Sequence, residues 1–279
     1  MTSRTILITG CSSGIGEACA RGLRARGWRV FATARTPEDL ARLDSEGFEA
    51  LHLDYRDEAS VTAAADEVLA RTGGRLYALF NNGAYGQPGA VEDLPTSALR
   101  EQFEANFFGW HTLTRRVLPA MRAAGEGRIV QCSSILGVIA LKYRGAYTAS
   151  KFALEGLSDT LRLELRGTGI HVSLIEPGPI RSRFVEHALE AFRRNIDAEH
   201  SPHRDAYRRR ETRFQRGGAV RFKLGPEAVL EKLVHAVESP RPKPRYRVTT
   251  PTHVMAALRR VLPNRALDAA LAAASDRES

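Results

Sequence analysis

Short apolar, β-branched runs alternate with amphipathic stretches over the first two thirds of the chain. Residues 5–9, 29–33, 50–53, 76–80, 128–131 and 171–175 read as strands, and 246–249 as a last one. Helical spacing of apolar positions fills 14–26, 37–46, 61–71, 98–124 and 147–166, and a helix restarts at Gly225-Pro226-Glu227. Alternation of this kind predicts an α/β fold: a mostly parallel, doubly wound sheet with helices on both faces. Ligands of such sheets sit beyond the carboxyl ends of the strands. No linker or repeat divides the pattern, so residues 1–279 read as a single domain. It carries a specialised segment at 181–224 and a C-terminal helical extension at 250–279.

Composition narrows the class. With 43% hydrophobic and 26% charged residues the chain is neither disordered nor collagen-like. No apolar run is long enough for a transmembrane helix, and the start lacks the pattern of a signal peptide. Cys11, Cys19 and Cys132 form no Cys-x-x-Cys pair and read as reduced thiols of a cytoplasmic protein. Lys and Arg exceed Asp and Glu by 41 − 32 = +9. That balance suits an anionic partner such as a phosphorylated cofactor, and it speaks to encounter rate before function.

After the first strand comes Thr9-Gly10-Cys11-Ser12-Ser13-Gly14-Ile15-Gly16, and then a helix. Glycine is the residue for a tight strand-to-helix turn whose backbone N–H groups meet a pyrophosphate at the positive end of a helix. A glycine-rich turn alone is weak evidence; the strand before and the helix after give it context. The spacing Gly-x-x-x-Gly-x-Gly resembles that of classical short-chain dehydrogenases/reductases. The likeness runs from Thr5 to about Ser182 and implies a Rossmann-type fold with a dinucleotide held by Gly10, Ser12, Ser13, Gly14, Ile15 and Gly16. Asn81-Asn82-Gly83-Ala84 stands where the family usually has Asn-Asn-Ala-Gly, and Asp54-Tyr55 stands at its adenine-contact pair. Asn82, Gly83, Asp54 and Tyr55 are therefore expected at the cofactor.

An NAD enzyme typically ends its second strand with an acid that binds the ribose hydroxyls. Here the family alignment puts Ala34 at that place and Arg35 next to it. A guanidinium binds a 2′-phosphate that a carboxylate would repel, so the expected cofactor is NADP(H). The bland alternative is a solvated arginine.

Tyr147-Thr148-Ala149-Ser150-Lys151 puts a phenol and an ammonium at i and i+4, on one face of a helix. A nearby ammonium is expected to favour phenolate and lower the tyrosine pKa from about 10. Tyr147 then serves as acid in reduction and base in oxidation. A lone Tyr-x-x-x-Lys is common, so its neighbours decide. Ser134, 13 residues upstream, is in family register, with Ser133 as rival; Asn106 lies mid-helix, where asparagine is a poor helix former. The resemblance implies that Asn106, Ser134, Tyr147 and Lys151 are catalytic. Asn106 would hold a helix bulge and a proton-relaying water. Lys151 would also bind the nicotinamide ribose. Pro177, Gly178, Ile180 and Ser182 follow the sixth strand, where the family contacts the nicotinamide.

In the family, 181–224 is a substrate lid; here it holds Phe184, Phe192, Phe214 and Phe222 among arginines, and a mobile charged loop is the competing reading. Leu136, Val138, Ile139 and Leu141 border either the pocket or the core. The motifs look like the 17β-hydroxysteroid/retinol dehydrogenase branch, which implies a hydrophobic aldehyde, ketone or alcohol substrate. A 3-oxoacyl-thioester reductase and a non-catalytic NADP-binding regulator are the alternatives. His200 and His203 lack further ligands, so no metal is expected. The basic stretch 204–216 lacks a nucleic-acid module, so no nucleic acid is expected. Peripheral membrane contact by 251–274 competes with docking on the domain. Helices 98–124 and 147–166 are expected to pair in a homodimer, with a tetramer as the alternative.

Overall fold

The computed structural model describes residues 4–215 and 222–276. Its seven strands are β1 (Thr5–Ile8), β2 (Arg29–Ala34), β3 (Glu49–His52), β4 (Ala78–Asn81), β5 (Gly127–Cys132), β6 (Ile170–Pro177) and β7 (Arg245–Val248). They form one sheet in the order β3-β2-β1-β4-β5-β6-β7, every pair parallel. The Rossmann-type, doubly wound reading is correct. The central strands are covered on both faces, which is why they read as unbroken apolar runs: β1, β4 and β5 have no exposed residue. The direction of winding reverses between β1 and β4. A crevice opens at that point beyond the strand ends.

The helices are α1 (Gly14–Ala25), α2 (Pro37–Ser45), α3 (Glu58–Arg71), α4 (Thr96–Phe103), α5 (Gly109–Ala124), α6 (Gly145–Glu164), α7 (Phe184–Asn195), α8 (Arg204–Gln215), α9 (Glu227–Glu238), α10 (Thr250–Val261) and α11 (Asn264–Asp276). Helix α3 begins earlier than its apolar spacing indicates. Asp57 caps it, accepting a hydrogen bond from Ala59 N–H at 3.0 Å. The stretch 98–124 is not one helix: a π-helical turn, Glu104–Phe108, separates α4 from α5. The segment 181–224 contains two helices, α7 and α8, so the reading as a mobile loop fails for its described part. The Phe214 side chain and Arg216 lie outside the described residues. The extension packs on the domain: Met255 of α10 and Leu267 and Leu271 of α11 join an apolar cluster with Leu136, Ile139 and Leu141. No helix among the described residues is long and apolar enough to cross a membrane.

Candidate active site

The glycine turn lies in the crevice between β1 and β4. Gly10 and Gly14 have φ of +67° and +60°, the left-handed region that side chains resist. A Cβ on Gly10 would stand 2.5 Å from the Gly83 Cα, and one on Gly16 would stand 2.1 Å from the Gly10 carbonyl oxygen. Ser13 caps α1 in extended conformation but makes no side-chain cap bond, so the first N–H groups of the helix, at Gly14, Ile15 and Gly16, are left to a ligand. A bare, positively polarised helix start with glycine walls fits a dinucleotide pyrophosphate. Ser12 presents its carbonyl to Arg42 at 2.9 Å.

The crevice floor is a hydrogen-bond hub on Thr9. Its Oγ1 accepts from Asn82 N–H at 2.8 Å, from Gly83 N–H at 3.1 Å and from the Tyr55 phenol at 2.8 Å. Asn82 donates from Nδ2 to the Thr9 carbonyl at 3.0 Å. The exchange Gly83-Ala84 has a physical reason: a Cβ at residue 83 would crowd the Gly10 Cα at 3.3 Å, so the glycine sits where the two loops touch. Tyr55 points inward. Its single hydroxyl proton is shared between Thr9 Oγ1 and the nearer Asn81 Oδ1, at 2.6 Å. Asp54 is held by Arg56 at 2.6 Å. Burial works against its carboxylate, but the Arg56 hydrogen bonds, with the charges of Arg56 and Arg35, hold its pKa below the usual value. Arg35 stands exposed at the end of β2, without an ion pair to any described residue.

Asn106, Ser134, Tyr147 and Lys151 come from the π-helical turn, the end of β5 and α6. Both functional groups of the Asn106 amide pair with the Tyr85 backbone: Oδ1 accepts from N–H at 3.2 Å and Nδ2 donates to the carbonyl at 2.8 Å. The helix is wide here, and the side chain clamps the loop after β4. Ser134 Oγ accepts from Leu136 N–H at 3.1 Å and acts on the ionisation of the Tyr147 phenol, whereas Ser133 Oγ is buried with no hydrogen-bond partner among the described residues. That separates the two serines. Lys151 is 1% exposed; its Nζ donates to the Cys132 carbonyl at 2.7 Å and lies 4.1 Å from the Trp110 ring centroid and 5.6 Å from that of Tyr147. The Trp110 indole donates to the Gly83 carbonyl at 3.0 Å. Trp110 thus joins the lysine seat to the cofactor crevice, a role the sequence reading missed. Its position four residues after Asn106 was the available signal.

The expected lowering of the Tyr147 pKa by Lys151 is not what the structure gives. Burial pushes the phenol well up, the neighbouring Cys132 thiol adds to this, and the Ser134 hydrogen bond only opposes it. Desolvation outweighs an ammonium that is turned toward a carbonyl and an indole face. The same burial pushes Lys151 down from 10.5 to about 8, against the pull of Cys132 and Glu155. The rate of carbonyl reduction should therefore fall as pH rises through about 8. The cause is discharge of Lys151, since the phenol keeps its proton there. A kcat/KM profile from pH 6 to 10 (roughly the range in which a displaced lysine titrates) checks this, and a flat profile refutes it. The stability term has the opposite sign. Between about 8 and 10.5 the unfolded chain holds the lysine proton more tightly, so this term favours folding as pH rises.

After β6, Gly178 N–H donates to the Val248 carbonyl at 3.0 Å, and a Cβ there would meet Thr249 Oγ1 at 2.2 Å. Pro177 ends the strand, and Ile180 packs against the core. Ser182 lies over the glycine turn, 2.9 Å from where a Gly14 Cβ would stand. The lid aromatics divide. Phe184 packs edge-on against the Tyr147 ring with centroids 5.3 Å apart, whereas Phe192 packs on Tyr207 at 4.9 Å. Phe222 is about half exposed. His203 bonds to Glu92 and His200 to Asp197, so the two histidines face different partners. The arginines of α8 include Arg208, paired with Glu199 at 2.8 Å.

Winding order, glycine turn and a Ser–Tyr–Lys cluster at one crevice define a dinucleotide-dependent oxidoreductase fold and site. Residues 4–192 match the family model for short chain dehydrogenases. The chain is 47% identical over 265 residues to an uncharacterized oxidoreductase, YbbO, of Escherichia coli, covering 95% of this chain and 93% of that protein. It is 34% identical over 264 residues to human 17-beta-hydroxysteroid dehydrogenase type 1, covering 89% and 78%. A short-chain dehydrogenase/reductase from Burkholderia phymatum, crystallised with NAD, superposes with a TM-score of 0.76 at 25% identity, covering 92% of each chain. The protein belongs to the short-chain dehydrogenase/reductase family and is an oxidoreductase acting on CH–OH and carbonyl groups with a nicotinamide dinucleotide.

Proposed function

We propose that the protein interconverts a hydrophobic aldehyde or ketone and its alcohol, using NADP(H). The observation that carries this reading is the Tyr147 phenol beside Ser134 and beneath the apolar ring of Phe184, with the Lys151 ammonium 5.6 Å from its ring centroid. A bound nicotinamide supplies the hydride to the carbonyl carbon or takes it from the alcohol. The chain's own residues do the rest. Ser134 holds the substrate oxygen, Tyr147 gives that oxygen a proton in reduction and removes it in oxidation, and Lys151 keeps positive charge beside the phenol. Asn106 positions the loop after β4. NADPH consumption across alkanals, retinal, keto-steroids and acyl thioesters tests the reaction. No turnover of any carbonyl would refute it.

NADP(H) is favoured over NAD(H) because Arg35 is exposed beside Asp54 with no ion-pair partner among the described residues, where a 2′-phosphate can be bound by two N–H groups. Ser12 adds a hydroxyl. Arg35→Asp should raise KM for NADPH by about tenfold or more, the worth of one charge-assisted contact, with little change for NADH. Equal effects on both would reject the assignment.

A second copy of the chain is the proposed partner of the groove between α5 and α6. The groove is lined by Phe107, Leu118, Leu154, Leu157 and Leu161; Phe108 of the π-helical turn and Leu163 of α6 lie exposed. Such a self-complementary face suits a two-fold axis. Three buried, unbridged thiols suit work in the cytoplasm.

A further inference from the structure

We propose that Glu155 is a positioning residue for the reaction, a buried carboxylate that keeps Lys151 in its ammonium form from one helical turn away. The inference rests on the reaction site assigned above. Tyr147, Lys151 and Glu155 follow one another at i+4 steps along α6, and the last two lie on its buried face. Glu155 is 8% exposed and Lys151 is 1% exposed. Residues so spaced on a helix have Cβ atoms about 5–6 Å apart. Burial removes the water that would screen the two charges, so their attraction is far stronger than at a surface.

The surrounding ion pairs leave the Glu155 charge directed at the lysine. Arg245 of β7 serves three carboxylates: Glu155 at 3.1 Å, Asp159 at 2.6 Å and Glu176 at 3.1 Å. Asp159 has Arg162 as well, at 2.7 Å, and Glu176 has Arg247 at 3.3 Å. Glu155 has Arg245 alone among the described residues, and only its Oε2 is engaged. Its Oε1 is buried without a hydrogen bond. The turn after β5 closes over that oxygen: a Cβ on Gly137 would stand 3.2 Å from it and 2.5 Å from Ser133 Oγ. Lys151, one turn back on the same face, gives its own hydrogen bond to a neutral carbonyl, that of Cys132.

The ionisations fall in sequence. Burial pushes the Glu155 carboxyl up to about 7, with the charge of Glu176 adding to this and Arg245 opposing it. Lys151 is pushed down to about 8. The carboxylate is therefore present when the lysine begins to lose its proton, and it delays that loss. The other groups facing the lysine are Cys132, Tyr147 and the Trp110 ring. Burial pushes the Cys132 thiol up to about 11, and Tyr147 keeps its proton, so both are neutral in this range.

The test reads the lysine itself. The chain has five lysines, so carbon-13 labelling at Cε resolves them by NMR in the cofactor-free protein, with Lys151→Arg giving the assignment. Glu155→Gln should move the Lys151 midpoint down from about 8 by roughly 0.5, an about threefold weaker hold on the proton. Glu155→Met, of similar length, takes its place if the amide does not fold. Asp159→Asn removes a charge from the same guanidinium a further turn from Lys151, and should leave the midpoint within about 0.2. With NADPH and a carbonyl substrate, the loss of kcat/KM in Glu155→Gln should be less than about twofold at about pH 6.5 and about threefold at about pH 9. A merely structural defect would lower both equally, and that result would overturn the proposal. So would an unmoved lysine midpoint, or an equal shift in Asp159→Asn. If the wild-type chain reduced no carbonyl but its lysine midpoint fell in Glu155→Gln, the reaction reading would fail and the hold on Lys151 would stand. An unmoved midpoint in an active enzyme would sink the role of Glu155 alone.

Discussion

Tyr147→Phe should lower kcat for carbonyl reduction by about 10³-fold, within the range that positioned general acids contribute. The substitution removes one oxygen and keeps the ring, so the edge-on packing with Phe184 and the apolar cluster survive. The phenol is the group placed to deliver a proton: it stands beside Ser134, and burial keeps its pKa high enough that it stays protonated at neutral pH. The proposed dinucleotide site draws on the glycine turn and the crevice floor, so its Kd should move by no more than about twofold. Stopped-flow hydride transfer together with a fluorescence titration of NADPH separates the two quantities. Retention of a tenth or more of the wild-type kcat would remove Tyr147 from the chemistry.

Gly16→Ala should be the most damaging single methyl in the crevice. The added Cβ would stand 2.1 Å from the Gly10 carbonyl oxygen, 2.7 Å from its carbon and 2.8 Å from Asn82 Nδ2. Two of these are backbone atoms, so no side chain can rotate to make room. Either α1 or the turn must shift. Overpacking of this kind costs about 1–3 kcal/mol in a well-packed interior. The displaced turn is also the one proposed to offer N–H groups to the pyrophosphate, so affinity should drop by about a hundredfold, or ~2.7 kcal/mol. Thermal unfolding of the free protein reads the first effect and NADPH titration the second. A variant with both values unchanged would mean that the turn tolerates a side chain there and that the close packing is not required for binding.

The parts of this molecule that were legible in the sequence are those set by local rules. Strands such as β1 and β5 are unbroken apolar runs because both faces are covered, and the run itself is the signal. The glycine turn is visible because positive φ and backbone contact select one residue type. What the sequence did not disclose depends on partners far along the chain. Trp110 looks like any core aromatic until α5 brings it to Lys151 and the Gly83 carbonyl. The π-helical turn is hidden from periodicity, because an apolar spacing survives one extra residue, and only the family likeness put a bulge at Asn106. Helix α3 starts early because a capping aspartate outranks spacing at a helix end. The inward turn of the Tyr55 phenol is likewise invisible in the sequence, because it is set by two buried partners, Thr9 and Asn81. The Tyr147 pKa was misjudged in sign, because charge proximity is readable from i,i+4 spacing whereas burial is not.

The widened turn at Glu104–Phe108 sets two azimuths within what the chain writes as one continuous rod. One extra residue per turn advances the remainder by about 100° about the axis. The amino-terminal half can thus present Gln102 and Asn106 to the Tyr85 loop, while the carboxyl-terminal half aims Trp110 at the lysine seat and Leu118 at the outer groove. Deleting a single residue from this turn would wind the second half back, carrying the indole off the ammonium and the outer groove out of phase with any facing copy.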